Sequence, residues 1–383
     1  MRIRGFHYAL GSCFAAVWLA GCGTSEPQPP ISGAGAAPLS QIAARASTAT
    51  HYLYVTNGHS ADISAFAINA SSGALTQVEG SPFATGRRPV GLAIGPNGAF
   101  MYVANANSDD VSAYAINAGS GALTQVQGSP FAADRYPWQV AIDPNGAFLY
   151  VVNETSSNIS AYAINAGSGA LTQVQGSPFA TGPYPAGVAI DLTGSFAYVT
   201  SAQDNDISAY AINASSGALT QVGGSPFATG SYPRKVAISG AFVYVANYSS
   251  NNVSAYVINT KNGALARVAG SPFATGTHPI AVAIDPTGAF VYVTDYSSDT
   301  VSAYAIDTAS GALTPVQGSP FPTGHGPTAA AIDPTGEFLY VADIGRGNGK
   351  VSAFAINAST GALTKVPGSP YLAGQNPFGV AAR

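Results

Sequence analysis

A unit of about 48 residues recurs seven times along this chain, and that recurrence restricts the possible folds more than any other feature. Each copy carries a Tyr-Val step, at Tyr54, Tyr102, Tyr150, Tyr198, Tyr244, Tyr292 and Tyr340, spaced 48, 48, 48, 46, 48 and 48 residues apart. A proline marks each copy as well: Pro89, Pro137, Pro185, Pro233, Pro279, Pro327 and Pro377. Within one copy, residues 90–94 form an apolar run, and Gly95-Pro96-Asn97-Gly98 reads as a tight turn. Proline presets φ there and glycine takes the left-handed position. Further strand signals cover 99–105, 111–117 and 123–126, and Gly128-Ser129-Pro130-Phe131 closes the unit. No helical period is present. This pattern predicts an all-β protein, a seven-bladed β-propeller with four antiparallel strands per blade.

The ends of the array predict a closed ring. The pattern is entered at a second strand, 51–57, and left at a first strand, 378–382. Neither end completes a blade alone. Joined, they make one, with the C-terminal strand innermost and Phe378 and Val380 buried in it. Such pairing removes the sheet edge that an open stack would expose.

The N-terminus reads as an address. Arg2 and Arg4 precede an apolar stretch, 6–19, too short to span a bilayer comfortably. Leu19-Ala20-Gly21-Cys22 resembles a bacterial lipobox, which implies cleavage before Cys22 and lipidation of its thiol. Gly23, by the same resemblance, favours the outer membrane where the host has one. Residues 23–50 are rich in Pro, Ser, Ala and Gly and predict a flexible tether. The expected organisation is a signal peptide at 1–21, a lipidated cysteine and tether at 22–50, and the propeller at 51–383. The expected address is exported and lipid-anchored to the cell envelope. Loss of Arg2 and Arg4 leaves 12 basic against 18 acidic side chains, a formal charge of −6, so nucleic acid is not an expected partner. Cys13 lies in the expected signal peptide, so no intramolecular disulfide is expected.

Tyr54-Val55-Thr56-Asn57 resembles the YVTN repeat. With the Asp-Pro-Thr-Gly turn, the Val-Ser-Ala-Tyr strand and the Gly-Ala-Leu-Thr turn, residues 51–383 resemble the lactonase-like propellers, which include 6-phosphogluconolactonase and the fungal muconate cyclase. The resemblance implies a Pro-Arg-His motif followed in the same blade by Asn-Glu, a trio suited to polarising a lactone carbonyl and activating water. This chain departs from that pattern. Pro233-Arg234-Lys235 places lysine where histidine is implied, and its blade continues Asn247-Tyr248. Asn153-Glu154 stands instead in the blade of Pro137-Trp138-Gln139. The candidate catalytic residues are therefore Arg234, Glu154, His278 and His325, the histidines being possible substitutes.

Residues repeated in every copy are structural by this reading, and singular ones carry function. The singular residues gather near the prolines and after the Tyr-Val strands, loops that propellers place around one mouth of the channel. Arg88, Arg135, Tyr136, Trp138, Tyr184, Tyr232 and Lys235 are the candidate ligand-binding residues. Asp204-Asn205-Asp206 lacks the further ligands of a calcium loop, so no metal is expected, and no cofactor. The leading expectation is an envelope scaffold that binds a small polar ligand or a protein partner at the mouth. The alternatives are a lactone hydrolase and a passive adhesion protein. A monomer is expected, touching the membrane only through its lipid.

Overall fold

The computed structural model of the protein describes residues 51–383, and every regular element in them is a strand. The strands form seven separate antiparallel sheets. In the second blade the innermost strand is Pro89–Ile94, followed outward by Phe100–Asn105, Asp110–Ile116 and Leu123–Gln125. The third to seventh blades begin their innermost strands at Pro137, Pro185, Pro233, Pro279 and Pro327. The first blade is composite. His51–Asn57 and Asp62–Ile68 begin the ring, and Pro377–Ala382 ends it as the innermost strand. Val55 stands opposite Val380, and Thr56 opposite Gly379. The propeller is closed as the sequence predicts. Phe378 and Val380, however, are half-buried, because they face the central channel; Pro377 and Gly379 are the buried members of that strand.

The outermost strand differs from the expectation in being broken in two. Leu123–Gln125 and Phe131–Ala132 pair with opposite ends of Asp110–Ile116. Gly128-Ser129-Pro130 fills the break, and Ser129 Oγ accepts the N–H of Ala113 at 2.9 Å. The same bond recurs in every blade. A two-residue strand is too short to announce itself in sequence. Short, broken outer strands also offer little edge to a second chain.

The core lies between blades. Val55 and Phe66 of the first blade, for instance, pack with Phe338 and Tyr340 of the seventh. The tyrosine of each Tyr-Val step is fully buried, and its hydroxyl donates to a glycine carbonyl in the next blade. Tyr54 bonds Gly121 at 2.8 Å and Tyr198 bonds Gly263 at 3.0 Å. The seventh such bond, Tyr340 to Gly73 at 3.0 Å, crosses the seam. Burial holds these phenols well above their ordinary pKa. The accepting turn requires glycine. Gly121 has φ of 72°, and a Cβ there would stand 2.2 Å from the Tyr52 ring.

The last residue of each second strand is buried and polar. In four blades it is asparagine; Asn57 Nδ2, for example, donates to Ser64 Oγ at 2.9 Å. In the sixth and seventh blades it is Asp295 and Asp343, which accept from Ser302 at 2.7 Å and Ser352 at 2.6 Å. Burial pushes both carboxyls up to about 6. A carboxyl whose pKa is higher folded than unfolded keeps its proton better in the native state. It therefore costs stability as pH rises from about 4 to above 6, and the cost is fully present at neutral pH. The full shift corresponds to at most about 3 kcal/mol per site. Asp295→Asn and Asp343→Asn, which recreate the arrangement of the other blades, should each stabilise the protein at pH 7.5 by roughly 1–2 kcal/mol. The gain should vanish near pH 4 in denaturant titrations. An equal gain at both pH values would show that these carboxylates are not the cause.

Deleting 375–383 tests closure. Removal of one innermost strand leaves His51–Asn57 without its ladder partner and opens the ring. The expected outcome is no soluble protein, or a melting temperature lower by at least about 10 °C. A truncated chain that melts like the whole one would contradict the closed seam.

Candidate functional site at the channel mouth

A single sevenfold register builds the mouth. After each proline the innermost strand bulges, so that one or two residues fall outside the ladder. Pro137 pairs with Asn153 and Gln139 with Val152, which leaves Trp138 out. In the fifth blade the bulge takes in two residues: Pro233 pairs with Asn247 and the next pair is Val236 with Val245. Arg234 and Lys235 are both released from the ladder there. The seven residues that follow the prolines, Val90, Trp138, Ala186, Arg234, Ile280, Thr328 and Phe378, together line one cavity of ≈ 260 Å³. Arg88, Lys235, Tyr248, Tyr296 and Ile344 complete its wall.

The residue before each proline has a left-handed backbone: Arg88, Tyr136, Tyr184, Tyr232, His278, Gly326 and Asn376, with φ between 52° and 64°. For bulky side chains this conformation is unfavourable, and paired backbone groups hold it. The carbonyl of Tyr136 accepts the N–H of Glu154 at 2.9 Å, that of Tyr232 the N–H of Tyr248 at 3.0 Å, and that of His278 the N–H of Tyr296 at 3.0 Å. Each bond brings the residue after a second strand to the mouth. In this way the repeated backbone places singular side chains.

Arg234 and Glu154, two blades apart, meet across the fourth blade, which presents only Ala186 and Ala202 at the matching positions. Arg234 Nη1 lies 3.5 Å from Glu154 Oε1, with side chains 20 % and 13 % exposed. This is an ion pair at longer range than a hydrogen bond. Among the described residues, the buried Nε and Nη1 of Arg234 have no hydrogen-bond acceptor. The guanidinium is cradled by aromatic rings, 4.7 Å from the Tyr232 centroid and 5.8 Å from those of Trp138 and Tyr248. Arg88 lies 5.3 Å from Tyr136, 5.8 Å from Trp138 and 5.9 Å from Phe378. Burial raises the Glu154 carboxyl above the ordinary range, and Arg234 and then Arg88 draw it back down.

The remaining sequence candidates separate. His278 stacks on Tyr248, with centroids 4.3 Å apart, and its Nδ1 bonds Ser297 Oγ at 2.7 Å. It backs the wall without lining the cavity. His325 turns outward, 49 % exposed, and pairs with Asp299 at 3.1 Å. Tyr184 is 49 % exposed, and Arg135 is exposed in a rim groove beside Arg87. Neither lines the cavity. The sequence reading missed the apolar floor, Val90, Ala186, Ile280 and Ile344, and the two tyrosines Tyr248 and Tyr296. Their signal is positional: each occupies the same place in its own copy as a recognised site residue in another.

Comparison with known proteins agrees with this fold. The family described as Lactonase, 7-bladed beta-propeller, matches residues 26–133, 137–277 and 268–380, and the chain belongs to that family. No curated protein matches the sequence. Among solved structures, a proposed 6-phosphogluconolactonase from Bacteroides fragilis is 22 % identical with a TM-score of 0.76, covering 88 % of this chain and 99 % of its own. One from Bacteroides uniformis is 22 % identical with a TM-score of 0.74 and the same coverage. A periplasmic gluconolactonase from Pseudomonas aeruginosa is 20 % identical with a TM-score of 0.74, covering 87 % of this chain and 99 % of its own. These similarities correct the expected address. Of these three neighbours one is named as periplasmic, and none is named as lipid-anchored. Cys22, on which that expectation stood, lies outside the described residues.

The electrostatics of the pair can be read directly. Arg234→Met removes the nearer cation, so Glu154 should titrate at a still higher pH; Arg88→Met should raise it less. Carboxyl NMR of glutamate-labelled protein measures both. An unchanged Glu154 titration in Arg234→Met would show that the two groups are not coupled.

Proposed function

We propose that this protein hydrolyses a lactone in the mouth cavity, the reading first set second to a binding scaffold. Membership of the lactonase family supports it, as do neighbours named as gluconolactonases. The observation that carries it is Arg234, a guanidinium held by Glu154 and three aromatic rings in the lining of a cavity of ≈ 260 Å³. Donors fixed in a water-poor site stabilise the charge that develops on a carbonyl oxygen during acyl transfer. In this reading Arg234 polarises the lactone carbonyl and takes up the oxyanion. Glu154 fixes the guanidinium, with Arg88 beside it. Trp138, Tyr232 and Tyr248 hold the guanidinium; Trp138 and Tyr248 offer flat faces to the ligand ring, whose hydroxyls meet Tyr296.

The test is hydrolysis of a panel of sugar and aliphatic lactones, followed by pH-stat titration. Wild type should exceed the buffer rate. Arg234→Ala should lose roughly 10²–10³ in kcat/KM with an unchanged circular dichroism spectrum. Lactone that binds at the mouth without turnover at any pH would contradict hydrolysis and restore the binding reading.

A further inference from the structure

The bulge that frees Arg234 also frees Lys235, and the lysine occupies a place no other blade fills in the same way. The matching residues are Gly91, Gln139, Gly187, Ala281, Ala329 and Gly379, so this level of the channel is lined by small side chains with two exceptions. Those two, Gln139 and Lys235, border a second cavity of ≈ 120 Å³, one step deeper than the mouth and floored by Val188, Val236, Val282, Ala330 and Val380. Gly187 stands between them; a Cβ there would lie 2.5 Å from Arg234 O and 3.0 Å from Lys235 Cα. Lys235 is half-buried and lines both cavities.

Of the side chains lining the deeper chamber, only Gln139 and Lys235 are polar. Gln139 Oε1 is buried with no hydrogen-bond partner among the described residues. Lys235 is in neither of the two ion pairs found there. The Gln139 oxygen lies toward Gly91, 2.8 Å from where a Cβ there would stand, so the amine of Lys235 is the polar side-chain group common to both cavities, and a chamber of this size has room for water. The groups around the amine are known by name. Arg234, Arg88, Tyr248 and Tyr296 share the mouth cavity with it, Glu154 pairs with Arg234, and His278 lies behind Tyr248. Neither Glu154 nor His278 lines either cavity. A guanidinium is a donor and not an acceptor, and the tyrosines bring hydroxyls. Lys235 is the one lining side chain able to offer a nitrogen lone pair.

We propose that Lys235, which lines both cavities, is the general base of the hydrolysis, taking a proton from water in the deeper chamber. This rests on the lactone reading and deepens it. The water oxygen bonds the carbonyl carbon as its proton passes to Lys235 Nζ, and the carbonyl π pair moves onto the oxygen facing Arg234. As the tetrahedral centre collapses, the ring C–O bond breaks, and the ammonium returns its proton to the departing ring oxygen. Lactone and water become a hydroxy acid, and the lysine is again a free amine. The base must be unprotonated to begin. Burial draws the Lys235 pKa down to about 8, so a useful fraction is free near neutrality.

The experiment is steady-state hydrolysis of δ-gluconolactone, or of the best lactone of the panel, from pH 6 to 9 by wild type, Lys235→Met, Lys235→Arg and Lys235→His. Wild-type kcat should rise with pH through a midpoint near 8. Lys235→Met and Lys235→Arg should both lose at least about 10²-fold in kcat, with KM changed less than about threefold. Lys235→His should recover at least about tenfold over Lys235→Met, with its midpoint moved toward the ordinary histidine value of about 6.5. Competitive acetylation of wild type, read by mass spectrometry of the Lys235 peptide, should give the same midpoint near 8 without reference to activity. An active Lys235→Met or Lys235→Arg, or a histidine variant with the wild-type pH profile, overturns the proposal while leaving the lactone reading intact. A wild type inactive on every lactone overturns both, and is seen before any variant is made.

Discussion

The bond from each Tyr-Val hydroxyl to a glycine carbonyl of the next blade sets the geometry on which everything else depends. A single buried bond of this kind contributes about 1 kcal/mol net, and its loss strands a buried polar group at a cost of about 1–3 kcal/mol. The arrangement matters more than the sum. Seven bonds run in the same sense around the ring, and the seventh, Tyr340 to Gly73, joins residues from opposite ends of the propeller. No blade is terminal, so none can fray alone. The angle between neighbouring blades is fixed, and with it the width of the channel.

That fixed width lets a repeat with little chemistry of its own carry a site. Every blade offers the mouth one residue after the proline, one before it and one after the second strand, each held by the same backbone bonds. The variation is in the side chains. Alanines in the fourth blade clear a path over which Arg234 reaches Glu154. Glycine and alanine narrow the list of groups in the deeper chamber to Gln139 and Lys235. The fifth blade departs most from its siblings: its first turn is two residues shorter, and its bulge is longer by one residue than those of most blades.

How far this was legible in sequence follows from the physics. Seven tyrosines and seven prolines at one period specify the blades, and the mismatched ends specify the seam, because both are matters of local pattern and pairing. The divided trio was legible as a departure from the family's motif, yet its reunion was not. Arg234 and Glu154 are 80 positions apart, and only the ring's curvature brings them within an ion pair's reach. His325 shows the converse. It stands beside a mouth proline in sequence, but Asp299, a carboxylate of the preceding blade, draws it outward. The apolar floor escaped notice because Val90, Ala186 and Ile280 look like strand residues until the bulge at each proline is known.

Arg234 is central: a cation held by aromatic rings and one carboxylate, in the lining of the mouth cavity. A crystal structure with a lactam analogue of gluconolactone, which has the carbonyl but resists hydrolysis, examines that directly. The analogue should sit in the mouth cavity, its carbonyl oxygen within about 3.2 Å of an Arg234 nitrogen. An analogue seated in the rim groove beside Arg87 and Arg135, or at the opposite end of the channel, with Arg234 untouched, would contradict it.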